Sequence, residues 1–119
     1  MYIMDKLKMK NGIELIAEER QRQIEVKGYN KEHDLNHKLY ELIDAAIAYA
    51  EMANIEYDIK TKGLHQEVIE QRMYSVKRLV YPQSWNPESL KPTTDIRDLV
   101  KAGALIAAAI DRLQNENVK

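Results

Sequence analysis

The chain contains no cysteine and no phenylalanine, and only three prolines and four glycines among its 119 residues. Without cysteine, disulfides and thiolate-ligated metals are excluded. No run of about 18 apolar residues occurs, so no membrane-spanning helix is expected. The amino-terminal MYIMDKLKMK alternates charged and apolar residues and has no apolar core of the kind a secretory leader needs. A charge bias is missing as well, with 18 basic against 19 acidic residues and a net charge of -1. Proteins that grip nucleic acid usually show a net basic balance or a basic stripe. General DNA or RNA binding is therefore not expected. A small protein is expected, long enough to bury one core without staples; the lack of cysteine fits a reducing compartment, though any compartment tolerates it, and a cytoplasmic location is the expectation.

What the sequence does have is helical periodicity with clear punctuation. It predicts an all-α, four-helix, bundle-like single domain over residues 1–119, with residues 1–10 as an extended arm or lead-in. The first helix is expected to start at Asn11, which forms a capping-box pattern with Glu14. Its apolar stripe is Ile13, Ile16, Ala17 and Ile24, and Gly28 is its stop. The second is expected from Asp34 or Asn36 to about residue 58, with Leu39, Leu42, Ile43, Ala46, Tyr49, Ala50 and Ala53 at helical spacing. Lys62 and Gly63 break it. The third runs from His65 to Val80 on Ile69, Met73, Val76, Leu79 and Val80, and Pro82 ends it. A long loop, YPQSWNPESLKP, follows; loops of this length are often functional. The last helix starts at Thr94 or Asp95 and reaches about Gln114, with Ile96, Leu99, Val100, Gly103, Ile106, Ala107, Ile110 and Leu113 as its core stripe.

Residues 102–110, AGALIAAAI, carry no polar side chain. A helix apolar all round is expected to be buried on every side. Small residues at Gly103, Ala104, Ala107 and Ala108 would let another helix approach. A homo-oligomer built through the last helix is the expectation. Tyr49, Tyr57, Tyr74 and Tyr81 recur in mid-chain and read as edges of the helical core.

Several polar residues exceed what a fold needs. Arg20 falls on the apolar stripe of the first helix, where a guanidinium requires an acid, a carbonyl or an anionic ligand. An internal ion pair, for instance with Asp98, would also satisfy it. Arg22, Gln23 and Lys27 follow, a set of donors suited to a phosphate or a base edge. His33, His37 and Glu41 are spaced four apart and would share a face if their helix were continuous, a pattern that can hold a divalent ion; His33 is expected to precede the helix and Asp34 to cap it, so capping and a surface histidine pair are the favoured reading. Glu41, Asp44 and Glu51 form an acidic stripe that points away from the apolar face of its own helix and reads as solvated. In KPTTDIRDLVKAG, Lys91, Arg97 and Lys101 surround a helix start, a natural anion site, and Asp98 would orient an arginine or cap the helix. Trp85, and Tyr29 on the earlier segment, could stack on a ring.

The pattern ERQRQIEVKGY, EHD, a histidine, then a Trp/Pro/Lys loop and RDLVKAGALI resembles a family of small phage and prophage proteins. Some of its members carry a nucleotide-diphosphohydrolase label. The resemblance covers residues 17–54 and 85–113. Its polar positions here are Glu19, Arg20, Arg22, Gln23, Gly28, His33, Asp34, His37, Glu41, Trp85, Lys91, Pro92, Arg97, Asp98 and Lys101. Two departures stand out: Tyr29 where tryptophan is common, and Ala109 where the last helix often has glutamate. Ala109 removes a candidate metal ligand.

Three expectations follow. In the first, Arg20, Arg22, Gln23, Lys27, Tyr29, Trp85, Lys91, Arg97, Asp98 and Lys101 form one site, with no cofactor, for a small anionic nucleotide-like ligand. The phage resemblance implies sequestration of a signalling nucleotide in the host cytoplasm. In the second, Glu19, Asp34, His37, Glu41 and Asp44 hold Mg or another divalent ion in a nucleotide pyrophosphohydrolase. In the third, the protein is a structural or partner-binding helical module.

Overall fold

In the computed structural model, residues 9–117 are described. The expected amino-terminal arm lies mostly outside them. Among the described residues five α-helices follow in order: α1 (Gly12–Glu25), α2 (Lys31–Asn36), α3 (Leu39–Lys62), α4 (Gln66–Ser75) and α5 (Asp95–Asn117). A π-helical turn (Val76–Val80) extends α4, and a 3-10 turn (Pro87–Ser89) sits in the long loop. Among the described residues there is no β-strand. The fold is all-α, as expected, and no described helix is long and apolar enough to cross a membrane.

Local signals set most of the boundaries. Asn11 accepts from the Glu14 N–H at 2.9 Å while the Glu14 carboxylate accepts from the Asn11 N–H at 3.0 Å, a complete capping box. Gly63, in the left-handed region at φ 68°, ends α3. His65 caps α4. The expected second helix is split. Asn30 caps a short α2 by accepting from the His33 N–H at 3.0 Å. His37 then turns extended, and α3 begins anew at Leu39. Glu41 stabilises this restart by accepting from the Lys38 N–H at 2.7 Å.

The centre of the molecule is the α3–α5 packing, the most extensive between any two elements. It is built on small residues. Ala45, Ala48 and Ala104 have no exposed surface, and Ala108 has almost none. Leu42, Met52, Ile55 and Leu105 fill the space around them. Helices α1 and α2 pack on α5, and α4 with its π turn packs on α3.

This arrangement corrects three expected core faces. Helix α1 buries Glu19 and Gln23, while Ile13 is exposed and Ala17 faces solvent. In α5 the buried face is Asp98, Val100, Ala102, Ala104, Leu105, Ala108 and Ala109, whereas Ile96, Leu99, Ile106, Ile110 and Leu113 are exposed. Residues 102–110 are thus open on one side within the single chain. Gly103 lies on that open side, where Ile16 of α1 seats so closely that a Cβ would stand 2.4 Å from its Cδ1. In the third segment only Val76 is buried, and Met73 and Leu79 are exposed.

Candidate functional site

The polar inner face of α1, the loop before α5 and the start of α5 enclose a cavity of about 240 Å³. Helix α1 contributes Glu19, Arg22 and Gln23, spaced so that they fall on one side of the helix, and Lys27 follows in the turn after its end. Tyr29 stands just beyond. Tyr49 comes from α3, while Tyr81, Trp85, Ser89 and Lys91 come from the loop. Lys101 and Leu105 close it from α5. Of the ten residues expected to bind ligand, Arg22, Gln23, Lys27, Tyr29, Trp85, Lys91 and Lys101 line this one cavity.

The other three do different work. Arg20 faces away from the cavity and is consumed by protein partners. It donates to Asp34 at 2.5 Å, to Asp111 at 3.1–3.2 Å and to the Tyr29 carbonyl at 3.2 Å. Its acids are Asp34 and Asp111, not Asp98. Arg97 donates to Glu19. Asp98 is buried and accepts from the Thr93 N–H at 2.9 Å. It lies outside the cavity and ties the residue before the Thr94 cap back to the first turn of α5.

These supports explain why the cavity has its shape. Gly28 adopts φ 72°, which turns the chain so that the Tyr29 N–H donates to the Gln23 carbonyl at 2.8 Å. With Arg20 on its carbonyl, Tyr29 is pinned from both sides. Its ring stacks on His33 at 4.1 Å, His33 meets His37 at 4.5 Å, His37 meets Trp85 at 5.1 Å, and Trp85 meets Tyr81 edge-on at 5.7 Å. A continuous row of rings thus ties the α1–α2 corner to the loop. On the loop side, the Tyr81 hydroxyl bonds Ser89 Oγ at 2.6 Å. Burial pushes the Tyr81 hydroxyl up to about 12, against the opposing effect of that Ser89 bond. Tyr49 accepts from the Lys91 N–H at 3.2 Å and so fixes the approach to Pro92.

The electrostatics of the cavity are cationic. Its one acid, Glu19, is 3 % exposed. Burial raises its pKa, but hydrogen bonds from Arg22 and Arg97 overcome that and hold the carboxyl below its usual value. The Glu19 bond in turn raises Arg22. Lys101 is pushed down by burial, with the Asp98 carboxylate opposing and the charges of Arg97 and Lys27 adding to the shift. Its ammonium donates to the Lys91 carbonyl at 3.0 Å and lies 5.3 Å from the Tyr49 ring centroid. Lys91 and Lys27 are exposed at the rim. Gln23 is 4 % exposed and its Oε1 has no hydrogen-bond partner.

The residues considered as metal ligands do not assemble into one cage. Glu19 is held by its two arginines, and Asp34 by Arg20. His33 and His37 face each other through Nε2 at 3.2 Å, and His37 Nδ1 lies 3.7 Å from Glu41. Glu41 is buried, in contrast to the solvated stripe expected of it, and a hydrogen bond from Ser84 lowers its pKa. Asp44 and Glu51 are half-buried. Among the described residues no group of three or more His, Asp or Glu side chains is placed to hold a metal ion.

Tyr49, Tyr81, Ser89 and Leu105 complete the cavity without having been expected there. The recurrence of tyrosine was the available signal, and it reads equally as core edge. Compared with known proteins, the chain matches no family model, no curated protein and no solved structure.

Proposed function

We propose that the chain binds a small nucleotide-like anion in the cavity between α1, the pre-α5 loop and α5, without catalysing its turnover. The observation that carries this reading is the lining itself. Arg22, Lys27, Lys91 and Lys101 surround a pocket walled by Tyr29, Tyr49, Tyr81 and Trp85, and the only acid, Glu19, is already neutralised by two arginines. Lys27, Lys91 and Lys101 have no acidic partner among the described residues, and the single charge of Glu19 is shared by Arg22 and Arg97, so the lining stays net positive; that favours an anion, and aromatic walls favour a flat ring. The resemblance to phage proteins would make that anion a host nucleotide. Thermal unfolding with nucleotides in the presence of a chelator tests the reading. Stabilisation that Arg22→Ala abolishes, with the nucleotide recovered intact, is the expected result. Chelator-sensitive release of phosphate or pyrophosphate would overturn it in favour of a metal-dependent hydrolase.

A second reading concerns assembly. Ile96, Leu99, Ile106, Ile110 and Leu113 follow a spacing of threes and fours, interrupted at Gly103 where Ile16 of α1 is seated, and all five are turned to solvent. That is the spacing of a helix-pairing seam, and exposed apolar stripes mark interaction surfaces. We read it as a homo-oligomer interface along α5. Light scattering should show more than one chain per particle, and Ile106→Lys with Ile110→Lys should reduce it to one.

A further inference from the structure

The cavity is more selective than a general anion site. Its volume, about 240 Å³, falls short of the roughly 300–1,000 Å³ typical of pockets for drug-sized ligands. That size suits one ring with a sugar and phosphate, and two linked nucleotides would leave one largely outside. The lining also contains a group that the ionised oxygens of a phosphate do not satisfy. The Gln23 side chain is buried on the inner face of α1 with its carbonyl oxygen unpartnered, in a structure where the neighbouring polar atoms of Glu19 and Arg22 are paired. An orphaned buried polar atom calls for a partner. The ionised oxygens of a phosphate or sulfate only accept, so they leave an amide carbonyl unsatisfied. A side-chain amide presents a donor and an acceptor side by side, the complement of a base edge. The rings of Tyr29, Tyr81 and Trp85 supply faces for that base.

We infer that the cavity takes a single nucleoside phosphate, with the polar edge of its base read by the Gln23 amide. The base lies against the aromatic wall, and the phosphate meets Arg22, Lys27, Lys91 and Lys101. Gln23 is then the residue that sets base preference, while the cations set affinity for the phosphate. This inference rests on the nucleotide-like anion reading above.

The test is a binding ladder on the full chain with chelator present, by calorimetry. The probes are pyrophosphate, ribose 5-phosphate, the four common nucleoside 5′-monophosphates and a cyclic dinucleotide. At least one monophosphate should bind tenfold or more tightly than ribose 5-phosphate, and more tightly than the dinucleotide. The preferred base should exceed the least preferred by about tenfold, the scale of about 1.4 kcal/mol. Gln23→Ala should collapse that preference to within about threefold while pyrophosphate binding persists, which also reports that the variant is folded. The wild-type ladder stands without the variant. Equal binding of ribose 5-phosphate and all nucleotides would overturn base reading and leave the anion site standing. Preference for the dinucleotide would overturn the size argument. Failure of every phosphate to bind would remove the anion site and this inference together.

Discussion

Helix α5 meets its two main neighbours by opposite means. Against α3 it presents alanines and Leu105, and the contact is dry and small-grained. Against α1 it presents Arg97 and Lys101 to Glu19, Arg22 and Gln23, and the contact is polar and encloses a cavity. The same contrast runs through the two buried carboxylates of these regions. Glu19, 3 % exposed, has two arginines and is held in its charged form. Asp98, 1 % exposed, has the Thr93 N–H on one oxygen and nothing on the other, and burial raises its pKa. The comparison separates two kinds of seam: the α3–α5 contact holds the chain together through small apolar side chains, and the α1–α5 contact encloses the cavity in which we propose the anion binds.

The largest expected effect is on a support of the polar seam. Arg20→Ala would leave Asp34, 1 % exposed, without its main counter-charge. Breaking a buried pair by removing one partner costs about 3–5 kcal/mol. Chemical denaturation should show a loss of that order, and a loss below about 1 kcal/mol would mean that Arg20 does not hold the α1–α2 corner.

Next is the dry seam. Ala104→Leu would force extra methylenes into a site with no exposed surface, at a cost of about 1–3 kcal/mol. Nucleotide binding by the remaining folded protein should be unaffected. A variant that binds poorly while folding well would show that the two seams are not separable.

The acid limb of stability gives a smaller and signed effect. Glu19 has a lowered pKa, so its contribution is present above its usual value of 4.5 and is lost as pH falls through the folded value. Asp98 has a raised pKa, so it favours folding in acid, and that contribution is lost as pH rises from 3.8 through the folded value. Glu19→Gln should therefore flatten the loss of stability below pH 4.5, and Asp98→Asn should steepen it. Each change should be on the order of 1 kcal/mol, discounted for the partly exposed arginines. Parallel acid limbs in both variants would remove the distinction between the carboxylates.

Smallest in stability, and most telling for function, is Lys101→Met. The ammonium is pushed down by burial, so the charge costs folding energy, and removing it should change stability by no more than about 1 kcal/mol. Anion affinity should fall by tenfold or more.

Much of the architecture was legible in the sequence, for local reasons. The Asn11–Glu14 capping box, the Gly63 stop, the His65 start and the entry to α5 near Asp95 all depend on short-range hydrogen bonds and backbone preferences, which the residues themselves declare. The facing of the helices was not legible. Periodicity assigns the largest apolar residues to the core, so it selected Ile96, Leu99, Ile106 and Ile110. The fold instead buries the alanine side of α5, because two long helices pack closest where side chains are smallest. In α1 the same rule hid the fact that Glu19 and Gln23 face inward. The break at His37 was missed because Asn30 caps a short helix earlier than Asp34 would. For the site, the convergence of the EERQRQ and RDLVK segments was readable from surplus polar residues. Which arginines are taken up by acids was not, since Arg20 and Arg97 found acids distant in sequence, Asp111 and Glu19, and Arg22 shares Glu19 with Arg97.

Calorimetric titration of nucleoside monophosphates into the wild type and into Arg22→Ala with Lys101→Met, both with chelator, tests the central claim most directly. The account predicts saturable, salt-sensitive binding of one ligand per chain to the wild type. It also predicts a loss of at least tenfold in the double variant, whose unfolding transition stays cooperative. Unchanged affinity in a folded double variant, or no binding to the wild type at all, would contradict it.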